Sequence, residues 1–262
     1  MSYTQLTFEF SDTNEVSYIY AGNYGAKGEK RQEKRKATPE QIRYQNQRNR
    51  ENRTRRLIKA NFRPYDLWCT LKYPAGTQKT PEELKADFNK FIRKLKYRYK
   101  KHGVELKYIY RMEIGARGGL HVHILINRIV GAPTDVYIKD AWGYHTWHEN
   151  LYEEGGYQKL AEYLTKKPSD QIAGQLSLFT EEEQEQLLKV NSSRNLIRPV
   201  PVKKDYSHWT MKRILDSLDE GDYTTWATPG YLIEKDSVQQ GINPFTGMSY
   251  LRYTERKIRG KT

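Results

Sequence analysis

The sequence predicts an α+β fold, a central antiparallel β-sheet with flanking helices, and three observations carry that prediction. Residues 81–101 place Leu84, Phe88, Phe91, Ile92, Leu95 and Tyr99 at helical spacing behind a Thr80-Pro81-Glu82-Glu83 capping signal. Two β-rich segments, VELKYIYRMEI (104–114) and LHVHILINRI (120–129), are separated by GARGG, and glycine-containing links of three to five residues commonly join hairpins. YDLWCTLKYP (65–74) is aromatic and apolar and ends at a proline, as a buried strand does.

In chain order, the alternation in VSYIYAG gives one early strand. From Gly28 the chain turns strongly basic. Thr38-Pro39-Glu40-Gln41 then starts a helix, with Thr38 as N-cap, Pro39 at the first position and Gln41 closing a capping box. It runs to about Ala60, and its apolar positions are sparse (Ile42, Leu57, Ile58). Two readings stay open for it: a solvated charged helix, or an arm that lies along phosphates. The strand at 65–74 and the helix at 81–101, stopped by Gly103, come next. Past the hairpin, a looser region at 130–155 holds Trp142, Tyr144 and Trp147, and a helix fits Tyr157–Lys167, stopped by Pro168. Beyond it lie a short acidic helix near 180–190, a proline-punctuated stretch at 198–201 and a helix near 207–219. The expected organisation is a basic N-terminal arm (1–60), a core (61–170) and a C-terminal extension (171–262).

Charge narrows the function. Among 262 residues, 45 Lys and Arg stand against 32 Asp and Glu, a net +13, which favours a polyanionic partner. One cysteine excludes a disulfide framework. No apolar run approaches the roughly 20 residues of a membrane span, and MSYTQLTFEF lacks the regions of a secretory signal. A cytoplasmic protein that meets nucleic acid is expected. There is no GxxxxGK[ST] phosphate loop, hence no helicase engine of that type.

The chemistry-bearing residues follow from strand geometry. His121 and His123 flank Val122, and residues two apart on a strand share a face, so both imidazoles point one way and Val122, Ile124 and Ile126 the other. If 115–119 form a five-residue loop, Ile114 pairs with Leu120, Glu113 with His121 and Arg111 with His123. Glu113, His121 and His123 then form a two-histidine, one-carboxylate cluster that suits Mn²⁺ or Mg²⁺ with positions open to phosphate oxygens. A four-residue loop would turn Glu113 to the opposite face. Two surface histidines on a strand is the plainer alternative. In EYLTKK, Tyr163 and Lys166 lie three apart and share a helical face. A tyrosine hydroxyl can attack a phosphodiester when a metal withdraws charge from the phosphate, although most of the 21 tyrosines must be packing residues. His145 and His148 (HTWH) have no partner carboxylate strand, His102 and His208 carry no signal, and Cys69 reads as inert core.

Three segments in order resemble the HUH endonucleases, and among them the rolling-circle replication initiators of bacterial phages and plasmids. DLWCTLKYP (66–74) is similar to a first hydrophobic motif with a threonine and a tyrosine. GGLHVHILI (118–126) matches the histidine–hydrophobic–histidine motif, and EYLTK (162–166) the tyrosine with lysine three residues on. The resemblance covers about residues 65–167. It implies His121 and His123 as metal ligands, Glu113 as the third, Tyr163 as nucleophile and Lys166 as its assisting base or positioning group. Some relatives carry two tyrosines four residues apart. Here the position four before Tyr163 is Lys159, which implies the single-tyrosine form, with Tyr157 in reserve.

The implied activity is nicking and rejoining of single-stranded DNA at a replication origin through a 5′-phosphotyrosine, leaving a 3′-OH. A separate helicase and a host polymerase are implied partners, in a bacterial cytoplasm. Trp142, Tyr144 and Trp147 are candidates either to stack on unpaired bases or to pack in the core. A single-strand transposase or relaxase, and a basic protein that only binds nucleic acid, are the competing readings.

Overall fold

The computed structural model describes residues 3–20, 35–152, 154–206 and 211–258. The basic run at 28–34, His208 and the first residues of the helix expected near 207–219 lie outside them. In chain order the strands and helices are β1 (Tyr3–Glu9), β2 (Thr13–Tyr20), α1 (Pro39–Asn61), β3 (Leu67–Lys72), α2 (Pro81–Lys101), β4 (Tyr108–Ile114), β5 (Leu120–Ile126), α3 (Thr134–Trp142) and β6 (Thr146–Asn150). They continue with α4 (Gln158–Thr165), α5 (Asp170–Leu176), α6 (Glu181–Leu188), β7 (Val190–Ser192), β8 (Val202–Tyr206), α7 (Lys212–Asp219), β9 (Tyr231–Ile233), β10 (Gln239–Asn243) and β11 (Met248–Lys257). The fold is α+β. It contains two antiparallel sheets, and the chain divides into two compact units, residues 46–197 and residues 1–45 with 198–262.

The unit 46–197 holds a five-stranded sheet in the order β6-β3-β5-β4-β7. Strand alternation gives it two different faces. On one, Leu67, Cys69 and Leu71 of β3, Met112 and Ile114 of β4, and Val122, Ile124 and Ile126 of β5 pack under the Leu84, Phe88, Phe91, Ile92, Leu95 and Tyr99 stripe of α2. Both halves of the capping box at Thr80 and Glu83 form, which fixes where α2 begins. On the other face, Ile109 and Leu125 pack with Ile58 and Phe62 and with Ala161 and Leu164 of α4.

The hairpin register matches the five-residue link: Ile114 pairs with Leu120, Glu113 with His121 and Arg111 with His123. The link closes on hydrogen bonds from Gly118 N to Gly115 O and from Gly115 N to Gly119 O. Gly118 sits at φ +80°, where a side chain would be strained. Both strands are shorter than the sequence predicts. Asn127 leaves the ladder and spends its side chain on Lys107 N and Glu105 O, so the pairing stops at Ile126 and Tyr108.

Two short helices, α3 and α5, were not expected. Gly143 in the left-handed conformation ends α3. The helix expected at Tyr157–Lys167 is α4, preceded by a 3₁₀ turn over Glu154–Tyr157. HTWH is not helical, because Thr146–Asn150 form edge strand β6 beside β3.

In the other unit, β10-β11-β2-β1-β8 form a sheet with β9 beside β11. Its core joins Tyr3, Val16 and Tyr18 to Leu251 and Tyr253 of β11 and to Ile214 and Leu218 of α7. No described helix is long and apolar enough to cross a membrane.

Candidate active site

The face of the five-stranded sheet that carries Leu125 also carries His121, His123, Glu113 and Arg111, since each pair is directly opposed. Glu113, His121 and His123 each present a ligand atom, and these atoms lie within 4.8 Å of one another. His121 Nε2 is 3.1 Å from His123 Nε2. Glu113 Oε2 is 3.9 Å from the first and 3.6 Å from the second.

The tautomers follow from what surrounds the rings. His123 Nδ1 meets Thr70 Oγ1 at 3.1 Å, and His121 Nδ1 faces Gly119 O at 3.4 Å. A carbonyl only accepts and a hydroxyl oxygen accepts readily, so both imidazoles keep their proton on Nδ1 and turn the Nε2 lone pairs toward each other and toward a carboxylate. Two lone pairs at that separation repel unless a proton or a cation lies between them. Burial pushes the His121 pKa down, and burial followed by the nearby charges of His121, Lys166, Lys72 and Arg111 pushes His123 down to about 3. Both rings are therefore neutral near pH 7, the form that binds metal. The donor set of two imidazoles and a carboxylate fits Mn²⁺ or Mg²⁺, with no cysteine in the cluster to favour zinc.

Tyr163 Oη is 2.9 Å from His123 Nε2. The ring of Tyr163 stands edge-on to His123 and to Trp68, and Trp68 stacks flat on His123 with centroids 5.4 Å apart. Tyr163 is 38% exposed, so its hydroxyl is reachable from solvent while its ring is braced. Lys166 follows the end of α4 rather than continuing it. Its ammonium still lies 3.8 Å from the Tyr163 ring centroid and 3.5 Å from Glu113 Oε2.

An eight-residue helix has little stability of its own, so α4 depends on its anchors. Ala161 and Leu164 are fully buried beneath it. At its C-terminus, Arg111 Nη1 donates to Leu164 O and Lys166 O, both at 2.8 Å, and Gln47 Nε2 donates to Thr165 O at 3.0 Å. The orphan carbonyls of the last turn are thus satisfied by side chains, with a cation at the negative end of the helix. Tyr157 is the anchor at the other end: φ is +65° and only 4% of it is exposed, within the cluster of Ile58, Phe62 and Leu164. It is a packing residue, remote in role from a nucleophile.

Thr70, Trp68 and Arg111 were not assigned roles from the sequence. The alternation of β3, with Leu67, Cys69 and Leu71 inward, already puts Trp68, Thr70 and Lys72 on the histidine face, and that was the available signal. The tyrosine of the first motif lies elsewhere: Tyr73 donates to Asp87 and packs against Trp142. Trp142 is core, with Nε1 donating to Lys72 O. Tyr144 is partly exposed and packs on Tyr73. Trp147 pairs with Thr70, lies on the histidine face and is 45% exposed. Cys69 is buried, and burial pushes its thiol up to about 12, which makes it inert. His148 lies 4.0 Å from Asp135, at the limit of an ion pair.

Residues 66–171 match the family model of the replication-associated protein ORF2. The matched stretch runs from the start of β3 into α5 and includes Glu113, His121, His123, Tyr163 and Lys166. No curated protein and no solved structure is significantly similar to the chain. The similarity supports a part in the initiation of replication, and with it contact with DNA.

Proposed function

We propose that the chain initiates rolling-circle replication by nicking and rejoining single-stranded DNA. One observation carries the reading. Two Nε2 lone pairs, a carboxylate oxygen and a tyrosine hydroxyl converge on one solvent-reachable point of a sheet whose opposite face is closed core. Packing alone does not call for such a convergence.

His121, His123 and Glu113 would hold Mn²⁺ or Mg²⁺, and the cation would supply charge withdrawal from the phosphate oxygens. The rest falls to the side chains. Tyr163 Oη attacks the phosphorus, an O–P bond forms and the bond from phosphorus to the 3′ oxygen breaks. The phenol loses its proton and the departing 3′ oxygen gains one, so the products are a 5′-phosphotyrosine and a 3′-OH. One phosphodiester is exchanged for another, and rejoining by a 3′-OH needs no nucleotide energy source. Lys166 keeps positive charge beside the phenol as negative charge develops there. Arg111 acts through α4, holding the turn that carries Tyr163.

The DNA path is supported by charge and exposure on the same unit. Arg48, Arg50 and Arg53 of α1 are exposed, α1 reaches α4 through Gln47, and Lys72 pairs with His121 across β3 and β5. These cations suit phosphates, so binding is salt-dependent. A helicase and a polymerase acting on the exposed 3′ end complete the reading.

The test is a covalent-adduct assay. Wild type and Tyr163→Phe are incubated with a pool of random single-stranded DNA and Mn²⁺, with and without chelator, and run on a denaturing gel. A shifted band lost in the variant and in chelator is expected. A band that persists in Tyr163→Phe sinks the assignment of the nucleophile. A wild-type band that survives chelation sinks the role of the metal.

A further inference from the structure

A cavity of about 220 Å³ opens beside the catalytic cluster and is not used by the chemistry above. It lies at the edge of β4, where β7 pairs only with Ile109–Arg111 and, among the described residues, leaves Met112–Ile114 without a strand neighbour on that side. Its floor is apolar, from Ile114, Ile172, Leu176 and Leu187. Its polar groups are Arg111, Glu113, Lys166, Lys167 and Ser169.

Two of those residues are conspicuous. Arg111 and Glu113 are 3% and 8% exposed, and Arg111 Nε and Glu113 Oε1 are buried with no hydrogen-bond partner. They stand 3.2 Å apart as an ion pair, but without the alignment of a hydrogen bond. A buried donor and a buried acceptor left open cost stability unless something else satisfies them.

We propose that this cavity takes the base of a nucleotide flanking the scissile phosphate, and that the base it selects is guanine. The inference rests on the nicking reading, because the cavity shares Glu113, Arg111 and Lys166 with the site and so receives only what lies next to the phosphate there. The ligand chemistry fits a nucleobase: flat apolar faces for the leucine and isoleucine floor, and a polar edge for the rim. Guanine offers O6 and N7 as acceptors to arginine or lysine. Its N1–H and N2–H face the other way, as donors to a carboxylate oxygen. Adenine would turn an amino group toward the cations. A pyrimidine, with one ring, would leave part of the floor unfilled. An unpaired base enters such a pocket at low unstacking cost, which also accounts for a single-stranded substrate.

The experiment sequences the DNA trapped in covalent adducts from the random pool. Wild type is expected to enrich guanine at one of the two positions flanking the cut. Ile172→Trp fills the cavity without touching the catalytic cluster, and should reduce the preference for guanine over the other bases by about 10- to 100-fold, the worth of one well-made base contact. Lys167→Gln, at an exposed rim residue, should weaken the same preference more modestly, and serves as the second variant where Ile172→Trp does not fold. Wild-type adducts with no base preference at either flank overturn the pocket and leave the nuclease standing. So does a guanine preference unchanged in both variants. Enrichment of another base, lost in Ile172→Trp, overturns the choice of guanine. No wild-type adduct from any sequence removes the nicking reading and this inference with it.

Discussion

The two faces of β5 carry alternate residues of one seven-residue strand, and they solve opposite problems. Val122, Ile124 and Ile126 are fully buried and find partners in α2 through shape alone. His121 and His123 are also largely buried, yet their Nε2 atoms find only each other, a carboxylate and a tyrosine. The first face lowers its free energy by closing. The second is held together from behind, by Thr70, Trp68 and Arg111, and remains chemically incomplete at the front. The comparison teaches that burial by itself does not mark a site as structural. What distinguishes the catalytic face is that its polar atoms are oriented without being fully satisfied.

The largest effect that would sharpen this contrast is on activity. Tyr163→Phe removes one oxygen from a partly exposed ring and is expected to bring covalent adduct formation to background with the melting temperature nearly unchanged. A large fall in melting temperature would instead make the hydroxyl a structural group.

Next in size is a paired substitution across the strand. Ile124→Ala should cost about 2–5 kcal/mol of stability, from lost transfer energy and the cavity left behind, with metal affinity of the folded fraction retained. His123→Ala should cost less stability and abolish Mn²⁺ binding. Urea denaturation and calorimetric titration measure the two quantities, and the same ranking in both would dissolve the distinction between the faces.

Acid should act on one face only. In chelator, the unfolded chain takes up a proton on His123 near the ordinary 6.5, whereas the folded chain resists until about 3. Between these values the unfolded state binds more protons, so stability falls as pH falls across that window. His123→Gln should flatten the curve there and Ile124→Val should not, as urea midpoints at several pH values would show.

Much of this was legible beforehand, and the reasons differ by element. The register of β4 and β5 follows from the count of residues in one link, because a one-residue slip reverses every side chain. The start of α2 follows from a local hydrogen-bond pattern. The sheet of residues 1–45 and 198–262 was not legible, because β1 pairs with β8 across some two hundred residues and neither segment announces the other. Within the site, His121, His123 and Glu113 came together by strand geometry alone. Thr70 and Arg111 did not, since a threonine and an arginine become positioning residues only through what tertiary packing brings to them.

The positioning role of Thr70 can be separated from bulk. Thr70→Val keeps the shape and removes the oxygen that accepts from His123 Nδ1. Partners of this kind are worth about 10- to 100-fold in metal affinity. Thr70→Ser should restore most of the loss, and equal affinities for the valine and serine variants would refute the tautomer argument.

The smallest effect concerns the front of the same face. Trp147 lies in line with Thr70 and His123 across adjacent strands, nearly half of it exposed. An indole there offers a face to any base passing the site. Because part of the ring is already packed, stacking should contribute at the low end of the usual range, about 1 kcal/mol for one base. Trp147→Ala should then weaken single-stranded DNA binding about fivefold in fluorescence anisotropy, irrespective of sequence, whereas Trp147→Phe should lose less. A sequence-dependent loss would place base reading on this side of Tyr163 rather than at the β4 edge, and the face would then have its selective end reversed.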